Sequence, residues 1–380
     1  MAEAAASPDA AIAPSPIWGV VLSVQANFYW VRLDGVDSSE TVLPRPTLLC
    51  TRRARLKKVG VRVMVGDRVC VEEPDWEGGR GAIVQVAPRR TQLDRPPIAN
   101  ADHILLVFAL AEPELDPHQL TRFLVKAEST GLQVSLCLNK RDLVSLDTQR
   151  QWRDRLHKWG YDPILLSIHA DPTLAELDTR LRDRITVVSG PSGVGKSSLI
   201  NQLIPAASLR TGKVSGKLGR GRHTTRHVEL FELPGGGLLA DTPGFNQPDI
   251  FCEPEALGQC FPEVRDRHAH SPCQFGDCLH RDEPGCAIRG DWERYNDYLS
   301  LLENCIVQQQ SLNDSPDPDA AFKVKIIEAG QVQHEPRLKT KKYRRSSRRH
   351  NKQTLDDLRY DLGSDLGHLD ALDEDWPEDL

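Results

Sequence analysis

Nothing in the 380 residues approaches the ~20 consecutive apolar residues that a membrane-spanning helix requires, so no span is expected. The opening segment, Met1 to Pro16, lacks Lys and Arg and lacks a continuous apolar stretch, and a secretory signal needs both. It reads as a disordered lead-in, and the protein as cytoplasmic. No internal repeat is evident. A disulfide framework is not expected from the nine cysteines of an intracellular chain, so their spacing is read first for metal.

What is present is enough for two or three domains. Hydrophobic residues make up 39%, which supports real cores, whereas 26 prolines imply long polar segments. A mean hydropathy of -0.43 points the same way. The formal net charge of -6 hides a segregation. Residues 355–380 hold ten Asp/Glu against Arg359 alone, while Arg337 to Lys352 holds nine Lys/Arg and no acid. Such blocks read as interaction tails, with nucleic acid the expected partner of the basic run.

Residues from Trp18 to Ala87 carry short β-branched and aromatic runs punctuated by Gly and Asp turns, such as Phe28-Tyr29-Trp30-Val31-Arg32-Leu33. A small barrel of the OB-fold type fits, with Arg52, Arg53, Arg55, Lys57, Lys58 and Arg62 as a basic loop. From His103 the pattern changes to strand-helix alternation. The continuous apolar run His103 to Leu110 suits a strand buried on both faces of a doubly wound sheet.

Gly190-Pro191-Ser192-Gly193-Val194-Gly195-Lys196-Ser197 follows an apolar strand and leads through Ser198 into a helical run. Glycines let backbone N–H groups close around phosphate, and the helix start adds positive potential. Lys196 is expected on the β and γ phosphates, with Ser197 on magnesium. The choice of base comes from Asn139-Lys140-Arg141-Asp142 at a strand end. A carboxylate at Asp142 can accept from the N1–H and exocyclic amine of guanine, which adenine lacks. Asn139 can tie neighbouring loops together, and the Lys140 stem can cover the base. Ser167-Ile168-His169-Ala170 fits a loop closing over the base through backbone N–H groups.

Asp241-Thr242-Pro243-Gly244 ends another strand, placing Asp241 to hold magnesium through water and the Gly244 N–H to meet the γ-phosphate. Upstream, Gly221-Arg222-His223-Thr224-Thr225 supplies a Thr hydroxyl, from Thr224 or Thr225, to complete the magnesium shell. The base motif precedes the phosphate loop, which reverses the usual order of GTPase motifs. A circular permutation accounts for that. Cys273, Cys278, His280 and Cys286 are spaced for a closed tetrahedral zinc site of structural type. Cys252, Cys260, His268 and His270 are less well spaced alternatives.

The permuted motifs, the Gly-x-His-Thr-Thr segment and the Cys/Cys/His/Cys cluster together resemble the RsgA (YjeQ) family of small-ribosomal-subunit-dependent GTPases, across about residues 18 to 303. The resemblance implies GTP hydrolysis to GDP stimulated by the small ribosomal subunit, late maturation of that subunit, and contact with its rRNA. An alternative is an RNA-binding assembly factor for which GTP binding, not hydrolysis, is the essential event. Phe245 stands where many GTPases carry a water-orienting glutamine, so His223 is the expected substitute, with Lys196 and Thr225 completing the catalytic group. The expected chain is a monomer without membrane contact. Its expected order is a disordered 1–16, an OB-fold 17–90, a permuted α/β P-loop GTPase domain 91–250, a mostly helical zinc domain 251–310, and a disordered tail 311–380.

Overall fold

The computed structural model describes residues 17–34, 47–94, 96–171, 174–204, 228–241, 250, 252–314, 322–327 and 331–336. In chain order the first elements are β1 (Ile17–Gln25), β2 (Phe28–Leu33), β3 (Thr47–Arg52), α1 (Ala54–Lys58), β4 (Arg68–Asp75) and β5 (Arg80–Val86). β1 pairs with both β2 and β4, β2 with β3, β3 with β5, and β5 with β4, so the five strands close on themselves in OB-fold order. Alternation decides which side chains fill it: Tyr29, Val31 and Leu33 of β2 point inward onto Leu48, Cys50, Val69 and Ile83. The basic stretch expected as a loop instead starts at the end of β3 with Arg52 and passes through the short helix α1, since Ala54 to Lys58 contains no Gly or Pro to break a turn.

A small hairpin, β6 (Gln92–Asp94) with β7 (Pro97–Ala99), leads out of the barrel. Arg89 secures this exit. Its guanidinium donates to both oxygens of the buried Asp67, at 2.7 and 2.9 Å, and reaches the carbonyl of Arg62 at 2.6 Å.

The central elements alternate: β8 (His103–Ala109), α2 (Pro117–Glu128), β9 (Gln133–Asn139), α3 (Leu146–Lys158), β10 (Ile164–Leu165), α4 (Ala175–Leu181), β11 (Ile185–Ser189), α5 (Lys196–Leu203), β12 (Glu229–Glu232) and β13 (Leu238–Asp241). Side-chain caps start two of the helices: Asp116 accepts from the His118 and Gln119 amides before α2, and Ser145 from the Thr148 amide before α3. β10, β9, β8, β11 and β13 run parallel in that order, and β12 is antiparallel at the end. Every residue of β8 is buried. Ile104, Leu106 and Phe108 pack with α2 and α3 on one face, and Leu105, Val107 and Ala109 with α4 and α5 on the other.

The sheet does not stop where the barrel begins. Glu229 of β12 pairs with Ser23 of β1, joining barrel and α/β sheet into eleven strands. The described residues up to Leu312 accordingly group into one compact unit that contains the barrel, the α/β sheet and the helical region beyond it.

Beyond β13 come α6 (Pro254–Leu257), α7 (Pro262–His270) and α8 (Tyr295–Asp314) around a core of Leu257, Phe261, Val264, Tyr298 and Leu302. Arg294 is almost wholly buried here, paired with Glu263 through two hydrogen bonds. Its guanidinium lies 4.6 Å from the Trp159 ring, 4.9 Å from Phe261 and 5.7 Å from Tyr161. Next to it Glu293 accepts from the Trp159 indole at 2.8 Å and Arg155 at 2.5 Å. The helical region is thus fastened to the C-terminal end of α3.

The chain from residue 311 is expected to be disordered, but α8 continues to Asp314, and β14 (Phe322–Ile327) pairs with β15 (Gln331–Pro336). Apolar residues alternate in β14 at Phe322, Val324 and Ile326, a strand signal that the charged composition around it masks.

His103 supplies a test of the sheet. It is fully buried, with Nδ1 3.1 Å from the Thr186 hydroxyl and Nε2 2.9 Å from that of Ser135. Burial holds its pKa down to about 4, from an ordinary 6.5. The unfolded chain therefore takes up this proton before the folded one does. The contribution is complete above pH 6.5 and is lost as pH falls toward 4. Its full size is on the order of 3 kcal/mol. Melting temperatures from pH 7.5 to 5 should fall less steeply in His103→Asn than in the parent, and equal slopes would contradict the assignment.

Candidate nucleotide site and metal centre

The parallel strands present their carboxyl ends along one edge, where sheets of this class bind ligands. β11 ends at Ser189 and turns through residues 190–195 into α5. Gly190 and Gly195 are required there. Gly190 has φ +143°, and a Cβ on it would lie 2.0 Å from the Val107 carbonyl oxygen. Gly195 has φ +98°, and a Cβ would lie 2.5 Å from the side-chain amide of Asn139.

That second contact joins the two halves of the site. Asn139 ends β9 and is buried. Its Nδ2 donates to the Val194 carbonyl of the phosphate loop at 2.8 Å, while its Oδ1 accepts from the Ile168 amide at 3.4 Å. One side chain therefore links the base motif, the phosphate loop and the loop after β10. Lys196 donates from Nζ to the carbonyls of Gly190 at 2.8 Å and Pro191 at 2.5 Å, curled over the loop it belongs to. Lys140 has φ +61° and donates to the Glu112 carbonyl, which brings the segment after β8 to the same edge.

Asp142 is exposed, and a hydrogen bond with the Ser167 side chain holds its carboxyl below the ordinary range. Ser167 itself is buried. Its backbone N–H is taken by Asp171 Oδ2 at 2.7 Å, and the Ala170 N–H by Ser167 Oγ at 3.1 Å. These two amides are engaged within their own loop, not turned toward a base as the sequence reading expects. Asp241 closes β13 in register with Val188, one residue before the end of β11. Only its backbone is described; His223, Thr224, Thr225 and Gly244 lie outside the described residues. Arg141, Asp171, Gln202 and Glu112 also enter this edge. The motif pattern could not flag them, since Arg141 occupies its variable position and the others fall outside it.

In the helical region the four sequence-predicted ligands converge. Their ligand atoms all lie within 4.8 Å of one another. Cys273 and Cys286 are each 3.6 Å from His280 Nδ1, and their sulfurs are 3.9 Å apart. Tetrahedral zinc, with Zn–S near 2.3 Å and Zn–N near 2.0 Å, places sulfurs about 3.8 Å apart and S and N about 3.5 Å apart. The residues fit zinc, and with all four positions supplied by the protein a bound ion would have no open position for chemistry. His280 can turn its other edge inward because residue 258 is glycine: a Cβ there would lie 3.1 Å from Nε2. The Arg289 amide donates to Cys286 Sγ at 3.3 Å, and Tyr295 and Tyr298 brace the carbonyls of His280 and Leu279. Of the alternatives, Cys252 lies 3.6 Å from Cys305 and His270 bonds the Asp266 carbonyl, so neither joins the cluster.

Elemental analysis of purified protein should find one zinc per chain, and a strong chelator should lower its melting temperature. Cys286→Ala should lose the metal. A metal-free chain whose melting temperature is unaffected by chelator would contradict the fit.

The model of the RsgA GTPase family matches residues 86–251. The small ribosomal subunit biogenesis GTPase RsgA of Trichormus variabilis is 60% identical over 355 residues, covering 90% of this chain and 96% of that protein. Among solved structures, YjeQ from Thermotoga maritima matches with a TM-score of 0.62 at 30% identity, over 77% of this chain and 99% of its own. YloQ, described as a circularly permuted GTPase, matches with 0.64 at 30%, over 79% and 99%. The permuted order of motifs, their meeting at one sheet edge and this extent of identity lead to one conclusion: the chain belongs to the RsgA GTPase family.

Proposed function

We propose that this protein hydrolyses GTP to GDP and phosphate in step with its attachment to the small ribosomal subunit, acting in the last stages of that subunit's maturation. The observation that carries the reading is the Asn139 amide on the Val194 carbonyl, which sets a guanine-selecting motif against a phosphate loop. Within that pocket Asp142 accepts from the guanine N1–H and amine, and Lys140 covers the base. The amides of residues 190–195 and the first turn of α5, with Ser198, surround the phosphates. Lys196 exchanges its bonds to the Gly190 and Pro191 carbonyls for β- and γ-phosphate oxygens. Magnesium arriving with the nucleotide neutralises charge on those oxygens, and Ser197, Asp241 and Thr224 or Thr225 are suited to hold it. Gly244 contacts the γ-phosphate and His223 orients the attacking water, the role that Phe245 cannot fill.

The division of labour follows the expected boundaries: 17–90 for RNA, 91–250 for GTP, 251–310 for zinc. Among the described residues no helix is long and apolar enough to cross a membrane. We place the protein in the cytoplasm as a monomer.

The barrel's outer face suits rRNA. Phe28 and Trp30 point away from the barrel core, 50% and 41% exposed. Across β3 they face Thr51 and Leu49, and Leu49 in turn faces Arg80 on β5. α1 follows β3 directly with Arg55, Lys57 and Lys58 exposed. Aromatic faces stack on unpaired bases while cations nearby meet phosphate.

GTP turnover measured against small-subunit concentration tests both parts. Turnover should rise with added subunits, and that stimulation should weaken with salt. Phe28→Ala or Trp30→Ala should raise the half-maximal subunit concentration about tenfold each. Turnover indifferent to subunits would overturn the functional reading, and unchanged half-maxima would overturn the assignment of the barrel face.

A further inference from the structure

Arg141 occupies the formally unconstrained position of Asn139-Lys140-Arg141-Asp142, yet it is among the most connected side chains at the sheet edge. Its Nε donates to Asp171 Oδ2 at 3.1 Å and its Nη2 to Asp171 Oδ1, a two-pronged pairing of guanidinium and carboxylate. Asp171 Oδ2 also takes the Ser167 amide at 2.7 Å, and the Asp171 amide bonds the Ser167 carbonyl at 2.9 Å. Ser167 in turn meets the Asp142 carboxyl through its side chain. The ring of contacts closes where the Arg141 amide donates to the Leu166 carbonyl at 3.2 Å. From α5, Gln202 donates to the Asp171 carbonyl at 3.3 Å, which attaches the ring to the helix that begins at the phosphate loop.

We propose that Arg141 and Asp171 are a positioning pair: by locking the loop that carries Ser167 against the base motif, they set the plane of the Asp142 carboxylate. They thereby determine how strongly the site prefers a purine bearing a 2-amino group. This inference rests on the assignment of Asp142 to the guanine base. A carboxylate accepts from guanine N1–H and from the exocyclic amine only when its two oxygens lie in the base plane. Hypoxanthine keeps N1–H but lacks the amine, so it is indifferent to the second oxygen. Freed from Arg141, Asp171 becomes an uncompensated negative charge beside Asp142, and the Ser167 loop loses its fastening. Lysine in place of Arg141 keeps the charge but not the fork, and cannot hold both oxygens in one plane. The pair does not touch the nucleotide, so its effect is on selection of the base and not on the chemical step.

The test is the ratio of GDP to IDP affinity, measured on the full chain by competition against a fluorescent GDP analogue. A ratio is the useful readout because partial unfolding lowers both affinities alike and leaves it unchanged. Arg141→Met, Arg141→Lys and Asp171→Asn should each lower the GDP/IDP ratio about tenfold, the effect of one lost charge-assisted hydrogen bond. The Arg141→Met/Asp171→Asn double variant should be no worse than either single one, since the two act as a unit. Turnover at saturating GTP should remain within about twofold of the parent, because the step after binding does not use the pair. Ratios at the parental value in all three single variants would overturn the proposal and leave an ordinary surface ion pair. Asp142→Ala separates the two levels: a ratio that survives this change overturns the base assignment, and the inference with it. A ratio that collapses there but not in the Arg141 and Asp171 variants overturns the inference alone.

Discussion

A single amide group, on Asn139, spans the gap between the Asn139–Asp142 motif at the end of β9 and the glycine-rich loop after β11. Its Nδ2 bonds the Val194 carbonyl at 2.8 Å and passes so close to residue 195 that only glycine fits there. The strands supplying the two elements are separated by β8 alone, since β9 pairs with β8 and β8 with β11. Because parallel strands end on the same side, cutting the chain elsewhere leaves these ends where they were. The permuted order is tolerable for that reason: what the site needs is proximity at the sheet edge, and the sheet provides it whatever the direction in which the chain visits its strands.

The permutation also changes what lies beyond each strand. β12 and β13 sit between the segments that carry His223 to Thr225 and Thr242 to Gly244, and β12 continues into the barrel through the Ser23–Glu229 pairing. On the opposite edge, α3 starts a few residues after Asp142 and ends where Trp159 packs on Arg294. Both the barrel and the helices that carry the Cys/Cys/His/Cys cluster are thus attached to elements leading directly into the candidate nucleotide site. Val20, Leu22 and Val24 of β1 also pack on the core of the α/β sheet, and Glu293 and Arg294 hold the helical region to Arg155 and Trp159 of the α3 end.

Much of this was legible in the sequence. The phosphate loop, the Asn139–Asp142 motif and the cluster of Cys273, Cys278, His280 and Cys286 have characteristic short spacings, and each forms locally. The unbroken apolar run of β8 revealed a strand with two covered faces. What escaped reading depends on long-range contact. Arg141 and Asp171 lie thirty residues apart, and Trp159 and Glu293 are separated by 134; neither pairing has a periodicity or a turn signal. α1 was hidden in a run of cations whose charge, not its helix-forming character, dominated the pattern. The hairpin of Phe322 to Pro336 was concealed in the same way, by the charged composition around its alternating apolar residues. The Ser23–Glu229 pairing could not be foreseen, since strand edges carry no mark of their partner.

The most direct measure of the account is nucleotide selectivity in the intact protein, by titration calorimetry with GDP and ADP in the presence of magnesium. A pocket that joins Asn139 and Asp142 to the phosphate loop predicts tight binding of GDP, with ADP weaker by at least about a hundredfold, as expected when groups placed to accept from a base meet one without the matching donors. Equal affinities for the two, or no binding of either, would contradict it.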